Sequence, residues 1–323
     1  MPTASVVIVN WNGRQLLPEC LESVRSQTFR DFEVILVDNG STDGSVEWVR
    51  AEYPEVRILA LPTNQGFCGG NNVGIRAATA EYIVLLNNDT EVEPEWLGEL
   101  VRHIDGDASI AACDSKILYF DRRDTIWSAG ATYTIAGSAE WRGQGRKDWE
   151  ITEPAEVFTA VACSAIYARR VLNEIGGLDE DFFAGYEDVD WSFRARLRGY
   201  RIVNVPSSRV YHKVSVTHRY NSPAYVYHGQ RNVAAIFVKN MPTSLLVKYA
   251  GLHLLYTGGS LLYFARVGRL SAFLRGKRDV LRQWRRLWSK RRVIQRSRSV
   301  ASSEVDRLLS RKWVGPKLRK FRT

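Results

Sequence analysis

The 323-residue chain lacks the marks of several large protein classes. Its four cysteines, Cys20, Cys68, Cys113 and Cys163, stand far apart. No CxxC or Cys/His ligand spacing occurs, so neither a structural zinc site nor a disulfide framework is indicated. Scattered thiols of this kind fit a reducing compartment. The G-x-G-x-x-G fingerprint is missing, which argues against a dinucleotide-dependent dehydrogenase. No signal peptide is expected, because Met1 to Ala4 leads directly into a strand-like run at residues 5–9. A bilayer span needs about 20 mainly apolar residues. Residues 244–264 come nearest, but Lys248, His253 and Gly258-Gly259 interrupt them. A monotopic or re-entrant segment is expected there rather than a span.

Acidic residues are scarce in one place only. Residues 266–323 hold 20 Lys/Arg against 3 Asp/Glu, whereas the first 265 hold 25 against 32. The formal net charge of +10 therefore belongs to a tail and not to the body. Such a tail seeks a polyanion, either a membrane surface or nucleic acid. Within it Val267, Leu270, Leu274, Leu281, Trp284 and Trp288 recur at helical spacings, with Arg275, Lys277, Arg278, Arg282, Arg285 and Arg286 between them. Interleaved Trp, Leu and Arg favour a lipid surface over nucleic acid.

What is present in the first hundred residues is an alternation of strand and helix. Apolar runs at residues 5–9, 33–37, 56–61 and 82–86 alternate with segments of helical periodicity. That rhythm predicts a parallel sheet covered by helices, with ligands bound outside the carboxyl ends of the strands. Asn10, Asp38, Asn64 and Asp89 all fall at or just past those ends.

Four stretches carry chemistry. In "VDNGSTDGS", Asp38 either caps a turn or accepts an N–H from a nucleobase. In "NQGFCGGNN", glycine permits positive φ and close approach of backbone to a ligand, or merely serves a loop. In "LLNNDTEV", Asp89 is a hard oxygen donor suited to Mg²⁺ or Mn²⁺ once a diphosphate supplies most of the shell, or else a turn cap. In "GYEDVDW", Glu187, Asp188 and Asp190 lie between Tyr186 and Trp191 at the start of a predicted helix. The helix dipole favours carboxylates there, and one of them is placed to serve as a general base. His212 ends the last predicted strand and is a candidate metal ligand.

Taken in this order, together with "VVIVNWNG" and "VYH", these motifs resemble those of the family 2 glycosyltransferases over about residues 4 to 215. Within that family the chain looks most like rhamnosyltransferase-type members that build bacterial cell-surface polysaccharides. The resemblance implies a GT-A fold, α/β with a mixed, mainly parallel sheet, over residues 1–222. A helical, basic, membrane-associating region would follow over 223–323. It implies inverting transfer of a sugar, L-rhamnose being one option, from a UDP- or dTDP-sugar with a divalent metal, Mg²⁺ or Mn²⁺. By position, Asp38 would bind the base, and Asn10, Asn64, Gly69, Gly70 and Asn88 would lie near the donor. Asp89 and His212 would hold the metal, and Asp188 would be the catalytic base. Glu187, Asp190 and Trp191 would serve the acceptor or support its helix. The expected acceptor is a polyprenyl-linked glycan, reached from the cytoplasmic side by an enzyme peripheral on an anionic membrane surface. The first carboxylate of the usual DxD is Asn87 here, which implies weak metal affinity without nucleotide.

Overall fold

The computed structural model describes residues 1–214 and 221–312. Chain order begins β1 (Ala4–Asn10), α1 (Leu17–Arg25), β2 (Phe32–Asp38), α2 (Ser45–Glu52), β3 (Arg57–Ala60), α3 (Gly66–Ala77) and β4 (Tyr82–Asn87). It continues through β5 (Thr90–Val92), α4 (Trp96–Ile104), β6 (Ile110–Tyr119), β7 (Ile126–Ser128), β8 (Ala131–Tyr133) and β9 (Ala139–Trp141). Then come β10 (Ala155–Glu156), β11 (Ser164–Ala168), α5 (Arg169–Ile175), α6 (Glu187–Leu197) and β12 (Arg201–His212). Five helices close the described chain: α7 (Pro223–Asn240), α8 (Thr243–Arg266), α9 (Leu270–Arg282), α10 (Trp284–Arg296) and α11 (Ser302–Leu308).

The main sheet runs β10-β12-β6-β11-β4-β1-β2-β3, with β5 added to β12 and β7 to β6. Its first half is parallel: β1 lies between β2 and β4, and β3 extends β2. Strands covered on both faces read as continuous apolar runs, and β1 and β4 are buried almost throughout. β11 enters antiparallel between β4 and β6. This makes the sheet mixed, as expected.

Register brings the polar strand ends together. Asn10 is the partner of Asp38 across β1 and β2. An irregularity between Val205 and Arg209 lets β12 bend past β6 and pair with β5, so that His212 stands opposite Thr90, the neighbour of Asp89.

The glycines of "NQGFCGGNN" lie mostly in a helix rather than in the expected loop. Gly66 opens α3 with φ of 75°, and Gly69 and Gly70 lie within it. A Cβ on Gly70 would meet Val9 Cγ1 at 2.8 Å, and one on Gly74 would meet Val7 Cγ1 at 2.2 Å. These two glycines let the helix lie directly on β1.

Helices α7, α8 and α11 share the core of the sheet through Ile236, Phe237, Met241, Leu245, Tyr249 and Val305. Among the described residues no helix is long and apolar enough to cross a membrane, α8 included. The expected single amphipathic stretch at 267–288 is two helices meeting at Gln283. Its buried face is Ala272, Phe273, Gly276 and Val280, which leaves Leu274, Leu281 and Trp284 exposed. The rest of the basic tail, residues 313–323, lies outside the described residues.

Candidate active site

The first part of the site is an asparagine-carboxylate network at the ends of β1, β2 and β4. Asn10 Nδ2 donates to Asp38 Oδ1 at 3.2 Å, and Asn88 Nδ2 donates to Asn10 Oδ1 at 2.8 Å. The backbone N–H of Ser41 donates to Asp38 Oδ2 at 2.9 Å, which is the turn-capping contact expected of an aspartate here. Each carboxylate oxygen has a second lone pair, so Asp38 retains acceptor capacity beyond these bonds. Asn39, overlooked in the sequence, pins the next loop. Its Nδ2 donates to Asn64 Oδ1 and to the Gly66 carbonyl, and its Oδ1 accepts from the Gln65 N–H. Trp11, adjacent to Asn10, is 46% exposed.

Asp89 and His212 form the second part. Both are buried, and His212 Nε2 lies 3.2 Å from Asp89 Oδ1. That contact lacks hydrogen-bond alignment: Asp89 Oδ1 and His212 Nδ1 are both buried without a hydrogen-bond partner. Burial opposes charge on Asp89, but the neighbouring imidazole outweighs it and holds the carboxyl below its ordinary range. Burial likewise opposes charge on His212, yet Cys163 and Asp89 keep its proton affinity well above the usual imidazole value. Trp127 packs its ring edge against His212 with centroids 5.1 Å apart, and Trp141 packs on Trp127 at 5.5 Å.

The third part is the start of α6. Asp188 Oδ1 accepts its neighbour Val189 N–H at 2.7 Å, and Oδ2 accepts the Ala162 N–H at 3.4 Å. Burial pushes the Asp188 carboxyl up to about 6. Burial, and then the charge of Asp188, push Glu187 up to about 8. Glu187 Oε2 is buried without a hydrogen-bond partner. Two consecutive residues join this part to the second: Ala162 touches Asp188, and Cys163 touches His212.

The remaining expected residues face elsewhere. Asp190 is fully buried away from solvent, paired with Arg194 (3.0 Å), Lys239 (2.7 Å) and Asn240 Nδ2 (2.7 Å). Trp191 is likewise enclosed and donates through Nε1 to the Gly176 carbonyl. Both anchor α6 to its surroundings. Gly69 and Gly70 form part of α3, not a turn.

Asp114 is a buried acid the sequence did not single out. It sits mid-strand in β6 opposite Asn204 of β12, accepts from Asn204 Nδ2 and the Val161 N–H, and is pushed up to about 8 by burial. Its spot within a continuous buried run hides it, because only the cross-strand pairing with Asn204 reveals a polar layer.

A divalent cation prefers several oxygen donors. Among the described residues no group of three or more His, Cys, Asp or Glu side chains is arranged to hold one. The chain offers two candidate ligands, Asp89 and His212, with an unpartnered atom on each. They fit a metal whose other ligands come from a bound diphosphate.

A parallel half-sheet with a polar edge, joined to a mixed half carrying a buried acidic helix start, defines a GT-A-like α/β transferase fold. The crystal structure of GalNAc-T7 with UDP, GalNAc and Mn²⁺ superposes with a TM-score of 0.62 at 20% identity, over 74% of this chain and 48% of that one. At that identity the likeness speaks for the fold alone. The sequence adds the family: residues 5–176 match the Glycosyl transferase family 2 model, and the chain belongs to that family. It is a glycosyltransferase. The uncharacterized glycosyltransferase YwdF of Bacillus subtilis is 30% identical over 217 residues, covering 65% of this chain and 74% of that protein. The O-antigen biosynthesis protein RfbC of Myxococcus xanthus is 29% identical over 229 residues, 68% of this chain but only 18% of that protein.

Proposed function

We propose that the protein transfers a sugar from a UDP- or dTDP-sugar, with inversion, to a lipid-linked glycan during cell-envelope polysaccharide synthesis. L-Rhamnose is one candidate sugar. The observation that carries the proposal is the joining of two chemically distinct halves through Ala162 and Cys163. One half presents Asp89 and His212, and the other presents Asp188 at the start of α6. A non-catalytic sugar-nucleotide binder would have no use for the second half.

Asp38, Asn10 and Asn88 orient the base and ribose end of the donor, and the loop at Asn64 closes beside them. Asp89 and His212 would hold Mg²⁺ or Mn²⁺, which supplies charge neutralisation to the departing diphosphate. Asp188 accepts the proton of the acceptor hydroxyl. That oxygen forms a bond to the anomeric carbon as the bond to the diphosphate oxygen breaks, and the diphosphate leaves with the electron pair. Attack from the opposite face inverts the anomeric centre. Burial raises the proton affinity of Asp188 toward working pH, the condition for an effective base.

The lipid-linked acceptor is supported by α8. Its outward stripe carries Val247, Leu254, Leu255 and Leu262, each at least 67% exposed, with exposed Gly251 and Gly258 between them. Its inner side carries Tyr256, which packs with Tyr186, the residue before Glu187. A helix is about 10–12 Å thick. Docking the stripe on a bilayer therefore holds the acidic helix start roughly one helix diameter from the lipid headgroups. Arg275, Arg278, Arg282, Arg285 and Arg286, all exposed on α9 and α10, suit an anionic leaflet. The enzyme is then peripheral on the inner face of the cell membrane, where sugar nucleotides are available.

The test is a turnover screen of UDP- and dTDP-sugars, with and without Mn²⁺ or Mg²⁺, using a membrane lipid extract as acceptor. Metal-dependent appearance of labelled sugar in the organic phase is expected. Transfer confined to soluble glycans or protein would overturn the lipid-linked acceptor.

A further inference from the structure

The loop that leads into Glu187 and Asp188 is strained. After a short 3-10 turn at Glu180–Phe182, the backbone enters the left-handed region at Phe183 (φ 62°), Gly185 (φ 82°) and Tyr186 (φ 70°). Phe183 and Tyr186 carry side chains that disfavour this region. A loop of this kind persists only where its surroundings over-determine it.

The surroundings are the C-terminal helices. Asn232 of α7 is 1% exposed, and its amide Nδ2 lies within reach of three loop carbonyls: Phe182 at 3.2 Å, Ala184 at 3.1 Å and Gly185 at 2.6 Å. Its orientation is set by the preceding residue. Arg231 Nε donates to Asn232 Oδ1 at 3.0 Å, so the NH₂ group must face the loop. The same guanidinium donates to the carbonyls of Asp181 and Phe182. At the other end of the loop, Lys239 and Lys290 pair with Asp179, and Lys290 and Arg286 pair with Asp181. On the opposite side, the Phe183 ring lies against Gly66, where a Cβ would meet it at 2.5 Å, and the Phe183 carbonyl accepts the Cys68 N–H.

We propose that Asn232, held by Arg231, is a positioning residue for the transfer reaction: it clamps the 182–186 loop so that Asp188 stands at its working position. The C-terminal helices are thereby part of the catalytic apparatus as well as a membrane-facing region. The inference rests on Asp188 acting as the base. A small displacement of a reacting group costs on the order of 10²-fold in rate, while groups that bind the donor from β1, β2 and β4 are untouched.

The test uses the full chain with Asn232→Ala and, separately, Asn232→Asp, which keeps the shape and the oxygen toward Arg231 but removes the N–H donors. Amide hydrogen exchange of residues 179–188 should accelerate at least about tenfold while exchange in β1 and β4 stays unchanged. UDP–Mn²⁺ affinity by calorimetry should hold within about threefold. Turnover of the sugar nucleotide selected by the donor screen should fall about 100-fold in kcat with its KM kept. Equal loss of UDP–Mn²⁺ affinity and kcat, with faster exchange throughout the sheet, would reduce Asn232 to a general structural role and overturn the proposal. Unaltered turnover in both variants would overturn it as well. A wild-type chain that turns over no sugar nucleotide overturns instead the proposed transfer reaction, and wild-type transfer by Asp188→Asn overturns the base on which the clamp rests.

Discussion

Asp188 and Glu187 are adjacent buried acids that titrate as a pair: burial raises both, and the charge of Asp188 raises Glu187 further, so a proton shared between them rests mainly on Glu187 and leaves Asp188 as the base. A base must be unprotonated to work, so kcat/KM should fall as pH drops through about 6. Initial-rate measurements between pH 5 and 8 give that limb. Glu187 binds its proton more tightly folded than unfolded, since burial lifts its carboxyl from the ordinary 4.5 to about 8. Its contribution to stability is therefore full below about 4.5 and is lost as pH rises through about 8. Glu187→Gln, an uncharged isostere, should flatten that loss. A melting temperature that declines equally in both chains from pH 6 to 9 would contradict it. Asp89 and His212 were both legible in the sequence as candidate ligands at or just past strand ends, and the fold brings them to 3.2 Å. Asn39 and Asp114 were not legible. The first looks like any turn asparagine, and the second sits in a buried strand whose partner lies 90 residues away.

At the scale of elements, the alternation of β1 to β4 with three helices could be read directly, because strands buried on both faces must be apolar end to end. The glycine-rich stretch could not be read by composition. Gly66, Gly70 and Gly74 recur every four residues, which is the period of a helix face, and the reason is contact with β1 and with Phe183. Two substitutions separate the packing glycines from the tolerant ones. Gly74→Ala puts a methyl 2.2 Å from Val7 Cγ1, next to a β-branched side chain in the core, and should cost about 1–3 kcal/mol. Gly98→Ala, inside α4, meets only Phe29 Cβ at an ordinary 3.6 Å and should be neutral or slightly stabilising. Denaturant unfolding of the two variants measures the difference. The mixed half, β5 to β12, was harder to foresee because several of its strands are only two or three residues long and its order is set by long-range pairing.

Across the whole molecule, charge and apolar exposure are divided unevenly. The basic tail was plain from the sequence, and a lipid surface is the partner its composition leads one to expect. Which residues point outward required the packing of α9 on α7, since Phe273 and Val280 turn inward while Leu274 and Leu281 do not. Binding to phosphatidylglycerol vesicles should therefore need both features. Leu254→Asp with Leu255→Asp should abolish co-sedimentation at any salt. Arg275→Ala with Arg285→Ala, both exposed, should weaken it by roughly 2 kcal/mol at low salt, at about 1 kcal/mol per residue near the surface. The same pair should have little effect at high salt, where screening already removes the attraction.

The two halves of the site make separable demands, and one substitution distinguishes them. Asp188→Asn should leave UDP–Mn²⁺ binding by calorimetry unchanged within error and lower sugar transfer by about 10²–10⁴-fold, the usual contribution of a general base. Transfer at the wild-type rate by an Asp188→Asn chain that still binds UDP–Mn²⁺ would contradict the assignment of the base and, with it, the division of labour between the strand ends and the start of α6.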